Sequence, residues 1–138
     1  MKYYIDTCIL LNLWKKEERN GVEFWKIAQE FLDRTPSRDI CISPVVIREL
    51  ERVCPEGYRA HEKRLLECTI IHPVQEDYVF ARSIEEPALS FADRLHIAMA
   101  RRLRLMIVTR DKALIDVARR FCAASRPEHL RGPSSSQS

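Results

Sequence analysis

The sequence predicts an α/β fold with a mainly parallel central sheet, and three observations predict it. Short apolar runs at residues 2–5, 40–42, 69–71 and 105–108 read as strands. Segments of helical periodicity alternate with them, the pattern of crossover units rather than of hairpins. Proline, glycine and hydroxyl residues punctuate the joins, as at Thr35-Pro36-Ser37, Ser43-Pro44 and His72-Pro73.

Taken in order, residues 2–5 form the first strand and a helix over about 7–16 follows at once. A second helix fits 21–34, where Val22, Trp25, Ile27, Ala28, Phe31 and Leu32 recur at helical spacing. After the strand 40–42, Ser43 offers an N-cap hydroxyl and Pro44 suits the first helical position, so a helix starts there. It runs to about Cys54 and stops before Pro55-Glu56-Gly57. A helix over 58–67 leads to the strand 69–71. Helices over 75–86 and 90–103 flank Pro87, and the strand 105–108 with a helix over 112–123 completes the core. From Ser125 onward the chain is polar with Pro, Gly and a serine run, which predicts a disordered tail. The expected division is one domain over 1–124 and a tail over 125–138.

Bulk composition narrows the function classes. With 138 residues, 46% hydrophobic and 31% charged, the chain suits one globular domain with one core and excludes a disordered protein. A net charge of +3 permits an anionic partner such as RNA without requiring one. Five cysteines (Cys8, Cys41, Cys54, Cys68, Cys122) are odd in number and lack a C-x-x-C pair, so reduced thiols are expected rather than disulfides or zinc. No run reaches membrane-spanning length. The first apolar stretch carries Asp6 and ends at Lys15-Lys16, unlike a secretory signal. A cytoplasmic protein with no membrane partner is expected.

Four acids stand beside apolar runs: Asp6, Glu49, Asp93 and Asp111. Asp6 and Asp111 follow two of the strands, and functional groups of parallel sheets gather beyond the carboxyl ends of strands. Asp93 shares a helix side with Ile97 and Ala100, residues expected to be buried. Carboxylates gathered together raise one another's pKa, and a divalent cation relieves that cost. Each acid also has a plainer role. Asp6 and Asp111 suit helix N-caps, each worth about 1 kcal/mol. Ser90-x-x-Asp93 matches a capping box. Glu49 sits in the charged run Arg48-Glu49-Leu50-Glu51-Arg52, where periodicity does not choose between Glu49 and Glu51. The four histidines show no triad or ligand spacing, so core or surface roles are expected for them.

With these residues set out, the chain resembles the PIN domain family, metal-dependent ribonucleases that include VapC-type toxins of toxin–antitoxin pairs. The matching pieces are Tyr4-Ile5-Asp6-Thr7, the segment Ile42 to Leu50 around Ser43-Pro44 and Arg48-Glu49, Ser90-Phe91-Ala92-Asp93-Arg94-Leu95-His96, and Thr109-Arg110-Asp111-Lys112. The resemblance implies a three-layer α/β/α fold, and it selects Glu49 over Glu51. It carries catalytic and metal-holding roles onto Asp6, Glu49, Asp93 and Asp111, with Thr7 and Thr109 orienting carboxylates or water behind them. All-oxygen ligands favour Mg²⁺ or Mn²⁺. The implied reaction is hydrolysis of an RNA phosphodiester to a 3′-hydroxyl and a 5′-phosphate. Where the family often has an acid after Lys112, this chain has Ala113.

Basic residues near these acids are the expected guides for the RNA backbone: Arg110 and Lys112 first, then Arg94 and Arg48, with Lys15 and Lys16 beyond. The resemblance also implies a homodimer and an antitoxin protein that blocks the acidic groove. Leu13, Trp14, Phe24 and Trp25 would contribute apolar surface. An RNA-processing nuclease and a non-catalytic module binding RNA or protein are the competing readings. A dehalogenase-type phosphatase would need a second Asp two residues after Asp6, where Cys8 stands.

Overall fold

A computed structural model of the chain describes residues 1–130. β1 (Tyr3–Ile5) leads directly into α1 (Thr7–Trp14), with Asp6 between them as N-cap. A small antiparallel hairpin follows, β2 (Glu18–Arg19) and β3 (Val22–Glu23). Asn20 and Gly21 turn it with φ of +52° and +80°, the two positive values that a type I′ turn requires. The helix expected from residue 21 therefore starts later, as α2 (Phe24–Arg34).

β4 (Ile40–Ile42) and α3 (Pro44–Val53) fall where the sequence puts them, with Ser43 Oγ accepting from the Val46 N–H. α4 (Pro55–Leu65) begins at Pro55 instead of residue 58. A proline at the first helical position forfeits no hydrogen bond, so Pro55 opens a helix here. Gly57 is required by close approach, since a Cβ would stand 2.8 Å from Trp14 and 2.9 Å from the Cys54 sulfur. β5 (Thr69–Ile70), α5 (Gln75–Ser83), α6 (Phe91–Leu103), β6 (Met106–Val108) and α7 (Lys112–Ala118) follow in the expected order.

The chain beyond α7 departs from expectation. The last helix ends at Ala118, and Ala123–Ser125 forms β7, which pairs in parallel with β6. A 3-10 turn follows over Pro127–His129. Ser125, expected in the tail, belongs to the sheet. Ala-Ala-Ser has little strand propensity of its own, so tertiary contacts fix this segment. The open edge of β6 supplies pairing, Arg119 Nε donates to the Ala124 carbonyl at 3.1 Å, and Arg34 donates to the carbonyls of Pro127 and Leu130. The expected tail over 131–138 lies outside the described residues.

All five strands of the central sheet are parallel, in the order β5-β4-β1-β6-β7, with helices on both faces. The chain enters at the central strand, builds outward through β4 and β5, then returns to add β6 and β7. The reversal lies between β1 and β6, the point where sheets of this kind place their sites. Tyr4, Ile5, Ile42, Ile107 and Val108 are fully buried, as strands covered on both faces must be. α6 is buried continuously from Leu95 to Ala100. It is clamped to α5 by Arg102, which donates from Nε and Nη2 to the buried Asp77 carboxylate at 2.9–3.1 Å, while Asp77 also caps the Val74 N–H. Among the described residues all five cysteines are free and no helix is long and apolar enough to cross a membrane.

Candidate active site

The carboxyl ends of β1 and β6 meet, since the Asp6 N–H donates to the Val108 carbonyl at 3.0 Å. Asp6 sits on this edge with its side chain about seven-eighths shielded from solvent. Its Oδ1 accepts from the Thr7 N–H at 2.8 Å, and its Oδ2 accepts from the Thr109 hydroxyl at 2.8 Å. Thr109, fully buried, also accepts from the Asp111 N–H at 3.2 Å. One hydroxyl thereby ties the acid after β1 to the acid after β6.

Asp93 approaches from the start of α6. Its pKa is raised, first by burial and then by the charge of Asp6, against the opposing pull of His96. Asp93 therefore lies within electrostatic reach of Asp6. The capping roles hold as well: Asp93 closes a capping box with Ser90, Asp6 caps α1, and Asp111 accepts from the Leu114 N–H at 3.2 Å to cap α7. Capping and convergence are compatible, because each cap leaves carboxylate lone pairs uncommitted.

Glu49 is half-buried on α3, and its charge helps to raise the pKa of Tyr4, itself driven up mainly by burial. Glu51, exposed, acts instead on Tyr58, so the two candidates face different neighbours. Among the described residues Glu49 makes no side-chain hydrogen bond to Asp6, Asp93 or Asp111. Thr7 is buried, its N–H committed to Asp6 and its hydroxyl without a partner.

His96 is the residue that spacing did not single out. Its Nδ1 lies 2.6 Å from the Tyr4 hydroxyl, which also bonds Ser43 Oγ at 2.7 Å, and its Nε2 lies 3.9 Å from Asp6 Oδ1. The only sequence hint was its position one turn after Asp93 on the same helix. Cys8 is also present, with Sγ 3.5 Å from Asp6 Oδ2. Burial and the Asp6 charge push its thiol up to about 12, which keeps it protonated.

A cleft of about 370 Å³ opens on this edge, lined by Asp6, Cys8, Asn12, Glu17, Glu18, Arg19, Phe24, Arg110 and Asp111. β2 contributes Glu18 and Arg19 to its wall. Arg110, expected to guide an anion, is committed elsewhere. Its guanidinium forks onto the Glu128 carboxylate at 2.8 and 3.2 Å and stacks on Phe24 at 4.0 Å. Arg94 donates to the Glu86 carbonyl, Lys112 pairs with Asp116, and Arg48 is exposed on α3. Lys15 and Lys16 are exposed beyond α1.

The donors suit a hard cation: they are oxygens, burial and the Asp6 charge raise the Asp93 pKa, and Thr7 Oγ1 is an orphaned buried acceptor beside them. Among the described residues no three His, Cys, Asp or Glu side chains are drawn together as a ready metal cage. Mg²⁺ does not need one, because it keeps several waters and binds through one or two carboxylates plus substrate phosphate. Asp6 and Asp93 are the residues that would hold it, with Asp111 tied to Asp6 through Thr109.

A parallel α/β/α sheet with Asp6 and Asp111 tied through Thr109 at its switch point defines a class of protein more narrowly than either feature alone. Within that class the chain belongs to the PIN domain family, whose model matches residues 3–120. PIN domains are generally divalent-metal-dependent nucleases. No curated protein matches the sequence. Among solved structures, the chain is similar to one in a toxin–antitoxin complex from Klebsiella pneumoniae, with TM-score 0.72, 20% identity, and 91% of this chain and 98% of that chain covered. It is similar to one in FitAcB from Neisseria gonorrhoeae, with TM-score 0.65, 20% identity, and 93% and 99% covered. It is also similar to VapC20 of Mycobacterium tuberculosis, a sarcin–ricin-loop-cleaving toxin, with TM-score 0.65, 19% identity, and 84% and 95% covered. At these identities the likenesses establish the fold.

Proposed function

We propose that this protein is a Mg²⁺- or Mn²⁺-dependent endoribonuclease that hydrolyses RNA phosphodiester bonds, acting as the toxin of a toxin–antitoxin pair. One observation carries the reading: Asp6 and Asp111, tied by Thr109, stand at the carboxyl ends of β1 and β6, and Asp93 is close enough for Asp6 to disturb its ionisation. A divalent cation on this edge would supply positive charge for the scissile phosphate and its leaving oxygen. The chain's own residues do the positioning. Thr109 and the Thr7 N–H hold both oxygens of Asp6 in place, Ser90 fixes Asp93, and His96, braced by Tyr4, packs behind Asp6. The cleft lined by Asp6 and Asp111 is open enough for a nucleotide.

The toxin assignment draws on the fold shared with the Klebsiella and Neisseria complexes, and it brings an antitoxin protein as partner and a cytoplasmic site of action. A homodimer is the proposed assembly, because Val74, Val79 and Phe91 are exposed along α5 and α6, with Phe91 stacked on Tyr78.

The test is direct. Purified protein incubated with assorted RNAs should cut in Mg²⁺ or Mn²⁺ and stop in EDTA, and Asp6→Asn should lower the rate by at least about 100-fold. Cutting that neither metal raises above the Asp6→Asn background would end the nuclease reading. Thr109→Val keeps the shape but removes the hydroxyl shared by Asp6 and the Asp111 N–H. It should raise the Mg²⁺ concentration needed for half-maximal cleavage by about 10–100-fold, as loss of an outer-shell partner does. An unchanged Mg²⁺ dependence would show that Thr109 does not orient Asp6.

A further inference from the structure

Arg110 is closed off by Glu128 and Phe24, so a nucleic-acid strand leaving the acidic edge needs cations elsewhere. On the other side of Asp111 a second cleft, of about 190 Å³, is lined by Lys112, Ile115, Asp116, Arg119, Arg126 and His129. Three permanent cations there face one carboxylate. They come from the first turn of α7, the residue that caps its C-terminal end, and the residue just past β7.

Each cation is available to an anion. The Lys112–Asp116 pair is exposed at both ends, and such surface pairs are weak and screened by water, so phosphate can take the place of Asp116. Arg119 commits only its Nε to the Ala124 carbonyl. This fixes the stem, and its terminal amino groups have no partner among the described residues. Arg126 makes no side-chain hydrogen bond among the described residues either. The field is felt at Asp116, held below the usual carboxylate range first by the Lys112 hydrogen bond and then by the charges of Lys112, Arg119 and Arg126.

We propose that this cleft seats a phosphate of single-stranded RNA adjacent to the one being cut, held between Lys112, Arg119 and Arg126. The inference rests on the nuclease reading and names the path its substrate takes. Adjacency favours it, because Asp111 caps the helix whose first residue is Lys112, so active edge and cleft share one rigid element. Chemistry favours it too, since paired guanidinium forks match phosphate oxygens.

The experiment measures binding of fluorescein-labelled, mixed-sequence single-stranded RNA to the full chain carrying Asp93→Asn, so that the RNA survives, by anisotropy across a salt series. Arg119→Gln with Arg126→Gln should weaken binding on the order of tenfold and lower the log–log salt slope by about 0.7 for each phosphate no longer neutralised. Arg126→Glu alone leaves the Arg119–Ala124 bond intact and should shift binding the same way if the double variant misfolds. Unchanged affinity and slope in folded variants would overturn the cleft assignment and leave the nuclease reading standing. Failure of the Asp93→Asn parent to bind any RNA would overturn both. With labelled polyglutamate titrated in parallel, loss of its binding in the variants while RNA binding stays intact would assign the cleft to an acidic protein and overturn the RNA path.

Discussion

Asp93→Asn is expected to abolish metal-dependent RNA cleavage and, at the same time, to make the metal-free protein melt at a higher temperature at neutral pH. The first effect follows if Asp93 holds the cation, and a loss of at least about 100-fold is expected. The second follows from the raised pKa of Asp93, caused by burial and by Asp6. A carboxyl whose folded pKa lies above its unfolded value favours the native state while protonated in both. That contribution disappears as pH climbs from the unfolded value through the folded one, and ionised Asp93 then opposes folding. Asparagine removes the charge and keeps an oxygen to accept from the Ser90 N–H, so the capping box survives. Melting curves of both proteins from about pH 4 to 7, with and without Mg²⁺, read this out. Wild type should lose stability relative to the variant across that range, and Mg²⁺ should restore it in wild type alone. A variant that melts lower than wild type at pH 7 without metal would show that Asp93 is chiefly structural. Such a trade of stability for activity is common where like charges are assembled for chemistry.

The largest effect on folding is expected from Asp77→Ala. Asp77 is 1% exposed, receives three hydrogen bonds from Arg102 and caps the Val74 N–H. Removing it strands a guanidinium between α5 and α6 and uncaps a helix, which costs about 3–5 kcal/mol for a buried pair. The Arg102 side chain is 23% exposed, so water rescues part of it and the lower end of that range applies. A fall in Tm of roughly 10 °C corresponds for a chain of this size. Urea or thermal unfolding checks it, and Asp77→Ala with Arg102→Met should recover much of the deficit. A single-variant cost under about 1 kcal/mol would mean that the clamp contributes little.

Much of the fold was legible because it is encoded locally. Tyr4-Ile5, Ile40-Cys41-Ile42 and Met106-Ile107-Val108 are apolar throughout, as doubly covered strands are, and Ser43-Pro44 and Ser90-x-x-Asp93 mark helix starts by their own chemistry. The β2–β3 hairpin was legible in principle, since Asn20-Gly21 is a strong turn signal, but the helical spacing from Val22 onward masked it. β7 was not legible, because its three small residues acquire strand geometry only from the edge of β6.

The site divides the same way. Asp6 and Asp111 could be placed from strand ends, and their link through Thr109 follows once β1 and β6 pair. His96 and Arg110 could not be placed, because their roles depend on partners distant in the chain. Tyr4 lies 92 residues before His96, and Glu128 lies 18 residues after Arg110. A hydrophobic stripe says which way a helix faces, but not which polar atom it will find there.

The final parallel strand has a bearing on how the protein is handled. Any shortened version that stops after α7 would strip the cover from β6 and present a row of bare amide and carbonyl groups to solution, beside some of the most apolar residues of the molecule. Such a fragment would stick to its own copies before its chemistry could be assayed. Fusion partners and purification handles therefore belong beyond residue 130, where they leave the last strand and its 3-10 turn in place.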